Sequence, residues 1–295
     1  MKRSSIWLLA AMLLASVGCL KEEQAGEALN YRLNATVEEF IPETRAGFSD
    51  LQNGAKFFWT EGDAIAVGSG TYHKFTTNTK TGSPTATFSG TGKPVGYAVY
   101  PFGRVKGISG NELTYEYARE YNYKTVDTDF FNGMSVDLPM WAAVEGENVS
   151  FMHLGGVIAF KFPNLEHGND QTFTVTADQK ISGKYTVDLS TDTPQIAATE
   201  TENGAEKIVI IKFSLNQAQD AVFYVPVPVG TYSLKAVLKN GDKEFEMEVG
   251  GLEVVRKGIR YTTVTTHTLQ GSTEGTVSDE SQVKEALESR TASSL

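Results

Sequence analysis

A single cysteine, Cys19, stands in 295 residues, directly after an apolar run and before Lys21-Glu22-Glu23. One thiol closes no internal disulfide, and a tetrahedral zinc site would need three more ligands. Cys19 is therefore neither staple nor metal cage. The four histidines, His73, His153, His167 and His267, are scattered without metal-ligand spacing and read as structural. His153 is expected to be half-buried and hydrogen-bonded. Gly90-Thr91-Gly92-Lys93 is too short for a phosphate loop, and Pro94 follows where a helix N-terminus is required. Ser69 in Gly-Ser-Gly lacks the frame of a nucleophile elbow. Glu61, Asp63, Asp127 and Asp129 are the right type for glycoside hydrolysis if folding pairs them, but acids in turns and loops are the commoner case. No catalytic residue, metal ligand or cofactor is assigned, and the expectation is a protein that is not an enzyme. The segment with binding chemistry is YEYAREYNY, with Tyr115, Tyr117, Tyr121 and Tyr123. On an exposed strand these rings would stack on sugars or form an adhesive contact. The competing arrangement packs them inward or across strands.

The chemistry open to Cys19 is set by what precedes it. Lys2 and Arg3 lead an apolar segment, Ile6 to Val17, of 12 residues. That is too short to span a bilayer and right for the apolar region of an export signal, so residues 1–18 are read as a signal peptide. Ser16, Val17 and Gly18 run into Cys19 as in a bacterial lipobox, with serine in place of the usual leucine three residues before the cysteine. The match implies cleavage before Cys19 and lipid on its thiol; an ordinary secretory signal with an incidental cysteine is the alternative. Buried acyl chains contribute ~0.8 kcal/mol per CH₂ and stable anchoring takes more than one chain, which a triacylated cysteine provides. The formal charge is −10, and losing Lys2 and Arg3 with the signal takes it to −12. Nucleic acid and anionic lipid head groups are poor partners for such a chain.

The elements that must position these residues are strands. Twenty-eight glycines, 12 tyrosines and 16 phenylalanines in a chain with 40% hydrophobic residues fit strands joined by tight turns. In NYRLNATVEEF, Tyr31, Leu33, Ala35 and Val37 alternate with Arg32, Asn34, Thr36 and Glu38, which predicts a half-buried strand. A break with Pro42, Arg45 and Gly47 follows, so one cut would separate this strand from the rest. Further strands are expected at 57–60, 64–67, 72–76, 85–88 and 96–100. Trp59-Thr60-Glu61-Gly62-Asp63 reads as a tight turn, with Asp63 bonding nearby backbone. The region 123–140 reads as a long loop. The pattern restarts in SFMHLGGVIAFKF, two strands joined near Gly155-Gly156, with later strands at 172–176, 207–213, 222–227, 231–238, 245–249 and 260–269. Asn240-Gly241-Asp242 predicts a hairpin with a type I′ turn. Near the end, Asp279 and Gln282 cap a short helix whose stripe is Val283, Ala286 and Leu287.

Several segments in order, Thr44-Arg45-Ala46, Trp59 to Asp63, Ala98-Val99-Tyr100-Pro101, Phe151-Met152-His153-Leu154 and Tyr224 to Tyr232, together with the lipobox, resemble the fimbrillin family of surface lipoproteins. Lys21-Glu22-Glu23 is similar to the signal that sends Bacteroides-type lipoproteins to the outer face of the outer membrane. The resemblance covers roughly residues 19 to 270 and implies an all-β chain of two tandem transthyretin-like β-sandwich domains with a short C-terminal helix. The organisation it suggests is signal peptide 1–18, lipidated linker and removable strand 19–45, sandwiches at 46–150 and 151–270, and a tail at 271–295. It implies a fimbrial subunit, anchor or adhesin at the cell surface, held to outer-membrane lipid through Cys19. Its partners would be other subunits docked by strand exchange, with a host or glycan ligand in addition. Cleavage between Arg45 and Ala46 would free the first strand. The tail does not alternate as a donor strand should, which favours an anchored or terminal subunit over a stalk. Two alternatives stay open: a surface glycan-binding lipoprotein with the tyrosine segment as platform, and the truncated N-terminal part of a larger β-helix adhesin or glycan-degrading protein. The second rests on the likeness of residues 276–289 to a β-helix cap.

Overall fold

Short alternating and continuous apolar runs, punctuated by glycine and polar turns, give a chain of strands. A computed structural model describes residues 30–40, 57–126, 137–198, 205–264 and 274–276. The first strands are β1 (Tyr31–Val37), β2 (Ala64–Gly68), β3 (Tyr72–Thr77), β4 (Ala86–Gly90) and β5 (Tyr97–Tyr100). Then come β6 (Val105–Ser109), β7 (Glu112–Tyr117), β8 (Glu120–Val126), β9 (Met140–Ala143) and β10 (Asn148–His153). β11 (Gly156–Leu165), β12 (Gly168–Ala177), β13 (Gly183–Asp188), β14 (Ile208–Leu215) and β15 (Gln219–Val227) follow. β16 (Gly230–Asn240), β17 (Lys243–Val254), β18 (Ile259–Thr263) and β19 (Glu274–Thr276) complete the set. Among the described residues the only helical element is a 3-10 turn at Phe102–Arg104. The fold is all-β, as expected, and the expected helix near residue 283 lies outside the described residues.

Seven strands close into a barrel in the order β1-β10-β9-β5-β2-β3-β4 and back to β1, where the resemblance implies an open sandwich. Closure satisfies both edges of every strand. Beyond it lie a three-stranded sheet, β15-β11-β18, and a six-stranded sheet, β19-β17-β16-β12-β14-β8. A third small sheet, β13-β7-β6, is attached by a core of Leu113, Tyr115, Tyr117 and Tyr185 against Ala66, Val99 and Trp141 of the barrel. Pairing therefore crosses the boundary drawn at residue 150, because β7 pairs with β13 and β8 runs parallel to β14. Parallel pairing across so many intervening residues leaves no local turn signal, and sequence periodicity alone could not place it.

How apolar a strand reads follows how many of its faces are covered. β11 begins Gly-Val-Ile-Ala-Phe and is buried throughout this run, with Val157 and Ala159 in the barrel-side core and Ile158 and Phe160 in the core shared with the six-stranded sheet. β2, β5 and β9 are equally continuous, since Ile65, Ala98 and Met140 face the barrel interior while Ala66, Val99 and Trp141 face the small sheet. Strands covered on both faces lose the alternation that marks half-buried ones. β1 keeps it: Leu33 and Ala35 are buried, while Arg32, Asn34 and Thr36 are exposed. It is thus a barrel stave with one face in solvent.

Most expected strands are present with shifted ends. Phe57 to Thr60 is the exception, being only an isolated bridge of Trp59 to Ser83, because Trp59 turns into the barrel core. There its ring meets Phe88 at 5.0 Å, Tyr100 at 5.3 Å and Phe151 at 5.6 Å, all edge-on. The β16–β17 hairpin is present, but its loop is Gly241-Asp242 and only Gly241 has positive φ, the pattern of a type II′ rather than a type I′ turn. The expected loop at 123–140 starts later, since β8 runs to Val126, and residues 127–136 lie outside the described residues.

The buried β1 side chains carry a testable load. Leu33→Ala should destabilise the protein by about 2–5 kcal/mol, the usual cost of such a truncation in a packed core. Thr36→Ala, on the solvent face of the same strand, should cost under about 1 kcal/mol. Denaturant titrations that gave equal losses would contradict the one-sided burial of β1.

Candidate functional site

β1 is held along both edges. It runs antiparallel to β4, with Leu33 opposite Phe88, and parallel to β10, with Val37 opposite Phe151. Two further backbone bonds extend the β10 side, Asn34 N–H donating to Glu147 O at 2.6 Å and Glu38 N–H donating to Phe151 O at 2.9 Å. On the solvent face Asn34 links both neighbours, its amide donating to Asn148 at 3.2 Å and its carbonyl accepting from Thr87 at 3.0 Å. Thr36 and Ser150 share a hydrogen bond at 3.1 Å. These exposed side-chain bonds each contribute little. The buried Leu33 and Ala35 and the two rows of backbone bonds carry the attachment.

Just past β1 the chain is clasped to the turn between β17 and β18. Glu38 Oε1 accepts from the His153 backbone N–H at 2.7 Å and from the Arg256 guanidinium, whose second terminal nitrogen lies 3.4 Å from Oε2. Lys257 Nζ is 3.4 Å from the same Oε2. Arg256 also donates to the His153 carbonyl at 3.2 Å. Side-chain exposure is only 18% for Glu38 and for Arg256, so these charges are shielded from most of the solvent screening that makes surface pairs weak. Burial pushes the Glu38 carboxyl up, but the Arg256 hydrogen bond, the His153 N–H and the Arg256 charge outweigh it and hold it below the ordinary carboxylate value.

The Gly155-Gly156 linkage explains how the turn comes so close. A Cβ on Gly155 would lie 2.4 Å from the Tyr117 hydroxyl and 2.6 Å from Val227 O, and one on Gly156 would lie 2.5 Å from Val255 O. Only glycine lets the crossover from β10 to β11 pass between these groups. Lys257, at φ 52°, donates its N–H to Gly155 O at 2.9 Å, and Val157 N–H donates to Gly258 O at 3.0 Å. The two cations are thereby fixed to the strand pair that Glu38 reaches.

His153 lies at the centre of this junction. It is 2% exposed, the Phe40 ring packs against it at a tilt of 31° with ring centroids 4.2 Å apart, and its Nε2 has no hydrogen-bond partner among the described residues. The expected half-buried ring is instead fully buried; it is hydrogen-bonded, as expected, through a contact with the Glu38 backbone, while Nε2 is left without a partner among the described residues. Burial pushes its pKa down to about 4, against the pull of Glu38.

No family model matches the chain, and neither does any curated protein. Among solved structures it is similar to a putative cell adhesion protein from Bacteroides ovatus, with TM-score 0.46 and 12% identity over 80% of this chain and 92% of that one. It is also similar to a fimbrial protein from Bacteroides ovatus, with TM-score 0.33 and 17% identity over 84% of this chain and 50% of that one. For the tip fimbrial protein Mfa3 from Porphyromonas gingivalis, with C-terminal truncation, the figures are 0.26, 10%, 75% and 81%. The neighbours bear adhesion and fimbrial names.

The remaining sequence candidates fall apart from this junction. Cys19, Arg45 and Ala46 lie outside the described residues. Three rings of the tyrosine segment are buried and not offered to solvent: Tyr115, Tyr117 and Tyr121 are 0%, 2% and 7% exposed. They face inward because β7 lies between β6 and β13 with its aromatic face on the barrel, while β8, which carries Tyr121 and Tyr123, edges the six-stranded sheet. Burial pushes the Tyr115 and Tyr117 hydroxyls well above the usual phenol range. Asp63 is a turn residue, accepting from Thr60 N–H at 2.7 Å and from the Tyr100 hydroxyl at 3.1 Å; Asp127 and Asp129 lie outside the described residues. Glu38, Arg256 and Lys257 were missed. Glu38 reads in sequence as one polar position of an alternating strand, and its partners are 218 and 219 residues away.

Two outcomes are expected. As pH falls below 6.5 the unfolded chain protonates its histidine before the folded one does, so His153 withdraws stability between pH 6.5 and about 4 and nothing further below. That interval corresponds to about 3 kcal/mol. Glu38 acts at lower pH: its contribution is present above the ordinary carboxylate value and is lost as pH falls through its depressed one. Denaturant midpoints across pH 4–7 should therefore fall less steeply in His153→Gln than in the parent. Separately, Tyr117→Phe and Tyr185→Phe should be neutral or stabilising, since both hydroxyls are buried without a hydrogen-bond partner among the described residues. A loss above about 1 kcal/mol in either would show that the hydroxyl is bonded.

Proposed function

We propose that this chain is a non-enzymatic, fimbrillin-like lipoprotein of the outer-membrane surface that acts as a fimbrial subunit, anchor or adhesin through β-strand complementation. In this reading Cys19 carries the lipid and the cut between Arg45 and Ala46 frees β1. Other subunits are the partners, and the fimbrium is the place of action.

The observation that carries the reading is the one-sided attachment of β1. Its inner face fills the barrel core, its outer face meets only solvent, and both its edges are paired. Removing it uncovers Phe88, Phe151 and the ring of Trp59 between two unpaired strand edges. Such a groove offers main-chain hydrogen bonds along its length and pockets for alternate side chains, which is what an added strand from another chain requires. β2, β5 and β9 offer no comparable route, because removing any of them would also strip a covering layer.

The test is to treat membrane-extracted protein with an arginine-specific protease and follow intact mass, N-terminal sequence and mobility in SDS without heating. A lipid mass on Cys19, a new N-terminus at Ala46 and SDS-resistant ladders are expected, with Arg45→Gln abolishing the last two and Cys19→Ser releasing the protein from the membrane. A chain that stays whole and monomeric would rule out assembly by strand exchange.

A further inference from the structure

The seat of β1 is more than an apolar groove, because one end of it is electrostatically marked. Arg256 and Lys257 both reach the Glu38 carboxylate and make no other ion pair among the described residues. They sit on a turn whose backbone is bonded to Gly155 and Val157, so they stay in place when the residue they hold is withdrawn. The His153 N–H, which donates to the same carboxylate, belongs to β10 and stays as well. Loss of β1 would therefore leave two cations and a backbone donor converging on a point with no anion, and a strand that refills the groove buries them again. Unpaired charges in such a place are costly, and any strand that fills the groove without restoring an acid there inherits that cost.

Resting on the strand-exchange reading above, we infer that the groove between β4 and β10 selects its incoming strand by a carboxylate. The occupant it fits is a strand of another subunit with a large apolar residue for the Leu33 pocket, a small one two positions on for Ala35, and an acid three positions after that, aimed at Arg256 and Lys257. β1 itself has this pattern, Leu33-Asn34-Ala35-Thr36-Val37-Glu38. The neighbouring Glu39 carries the same charge but is exposed, so the selection is positional and not a general preference for acidic strands. The strand must also run parallel to β10 and antiparallel to β4, which fixes the end of the groove at which its acid arrives.

The experiment uses the full chain with a specific protease site in place of Thr44-Arg45-Ala46, nicked and left assembled. Labelled peptides of residues 30–40, NYRLNATVEEF, are then offered in excess as the parent sequence, as Glu38→Gln and as Glu39→Gln. The parent and Glu39→Gln peptides should exchange in with equal affinity, and Glu38→Gln should bind about ten- to hundredfold more weakly, as expected for losing one partner of charge-assisted hydrogen bonds. That difference should shrink in an Arg256→Gln, Lys257→Gln host and with rising salt. Equal binding of all three peptides to the parent host would overturn the carboxylate selection while leaving strand exchange intact. Binding of none would overturn both.

Discussion

The barrel depends on β1 being hydrogen-bonded along both of its edges at once. A closed sheet has no free edge, which protects it from pairing with foreign strands, but closure makes every stave a joint for two neighbours. Taking out β1 opens an edge on β4 and another on β10, and it uncovers the aromatic cluster around Trp59. The stability of the first half of the molecule and the strand exchange proposed for it thus both rest on one pairing.

Layering leaves β1, like β3 and β4, with one face in solvent. The three-stranded sheet is buried on both faces, between the barrel and the six-stranded sheet, and the strands beneath the β13-β7-β6 sheet are covered twice as well. β1 has solvent on its outer side and meets the second half of the chain mainly through Glu38, just past its end. That contact is polar where the rest of the junction is apolar. Polar contacts in shielded places contribute less net stability than apolar packing but penalise mismatched partners, which suits a joint meant to be specific.

Much of the fold was legible because local rules suffice for it. Alternation identified β1, its inner face and its exposed face, and the pairing of glycines at 155 and 156 marked the crossover between strands. The hairpin at Gly241 announced itself by turn chemistry, although its turn type did not. The strands β6 and β13 were not picked out, and for β7 and β8, read as strand from the tyrosine segment, the face was left open: the same aromatic residues suit a surface platform or a core, and only contact with Val99, Trp141 and the adjoining sheets turns Tyr115, Tyr117 and Tyr121 inward. Nor could the clasp be seen, because a glutamate in an alternating strand and an Arg-Lys pair in a turn carry no mark of each other.

The sequence by itself determined an all-β chain, a one-sided first strand followed by a break with Pro42 and Gly47, and an acidic charge balance unsuited to nucleic acid. These depend on periodicity, turn residues and composition, all of which act over a few residues. The tertiary structure alone decided that seven strands close into a barrel, that strands on either side of residue 150 share sheets, and that Glu38 meets Arg256 and Lys257. Those outcomes follow from which apolar faces find one another across long separations, and a hydrophobic face specifies that it must be covered without specifying by what.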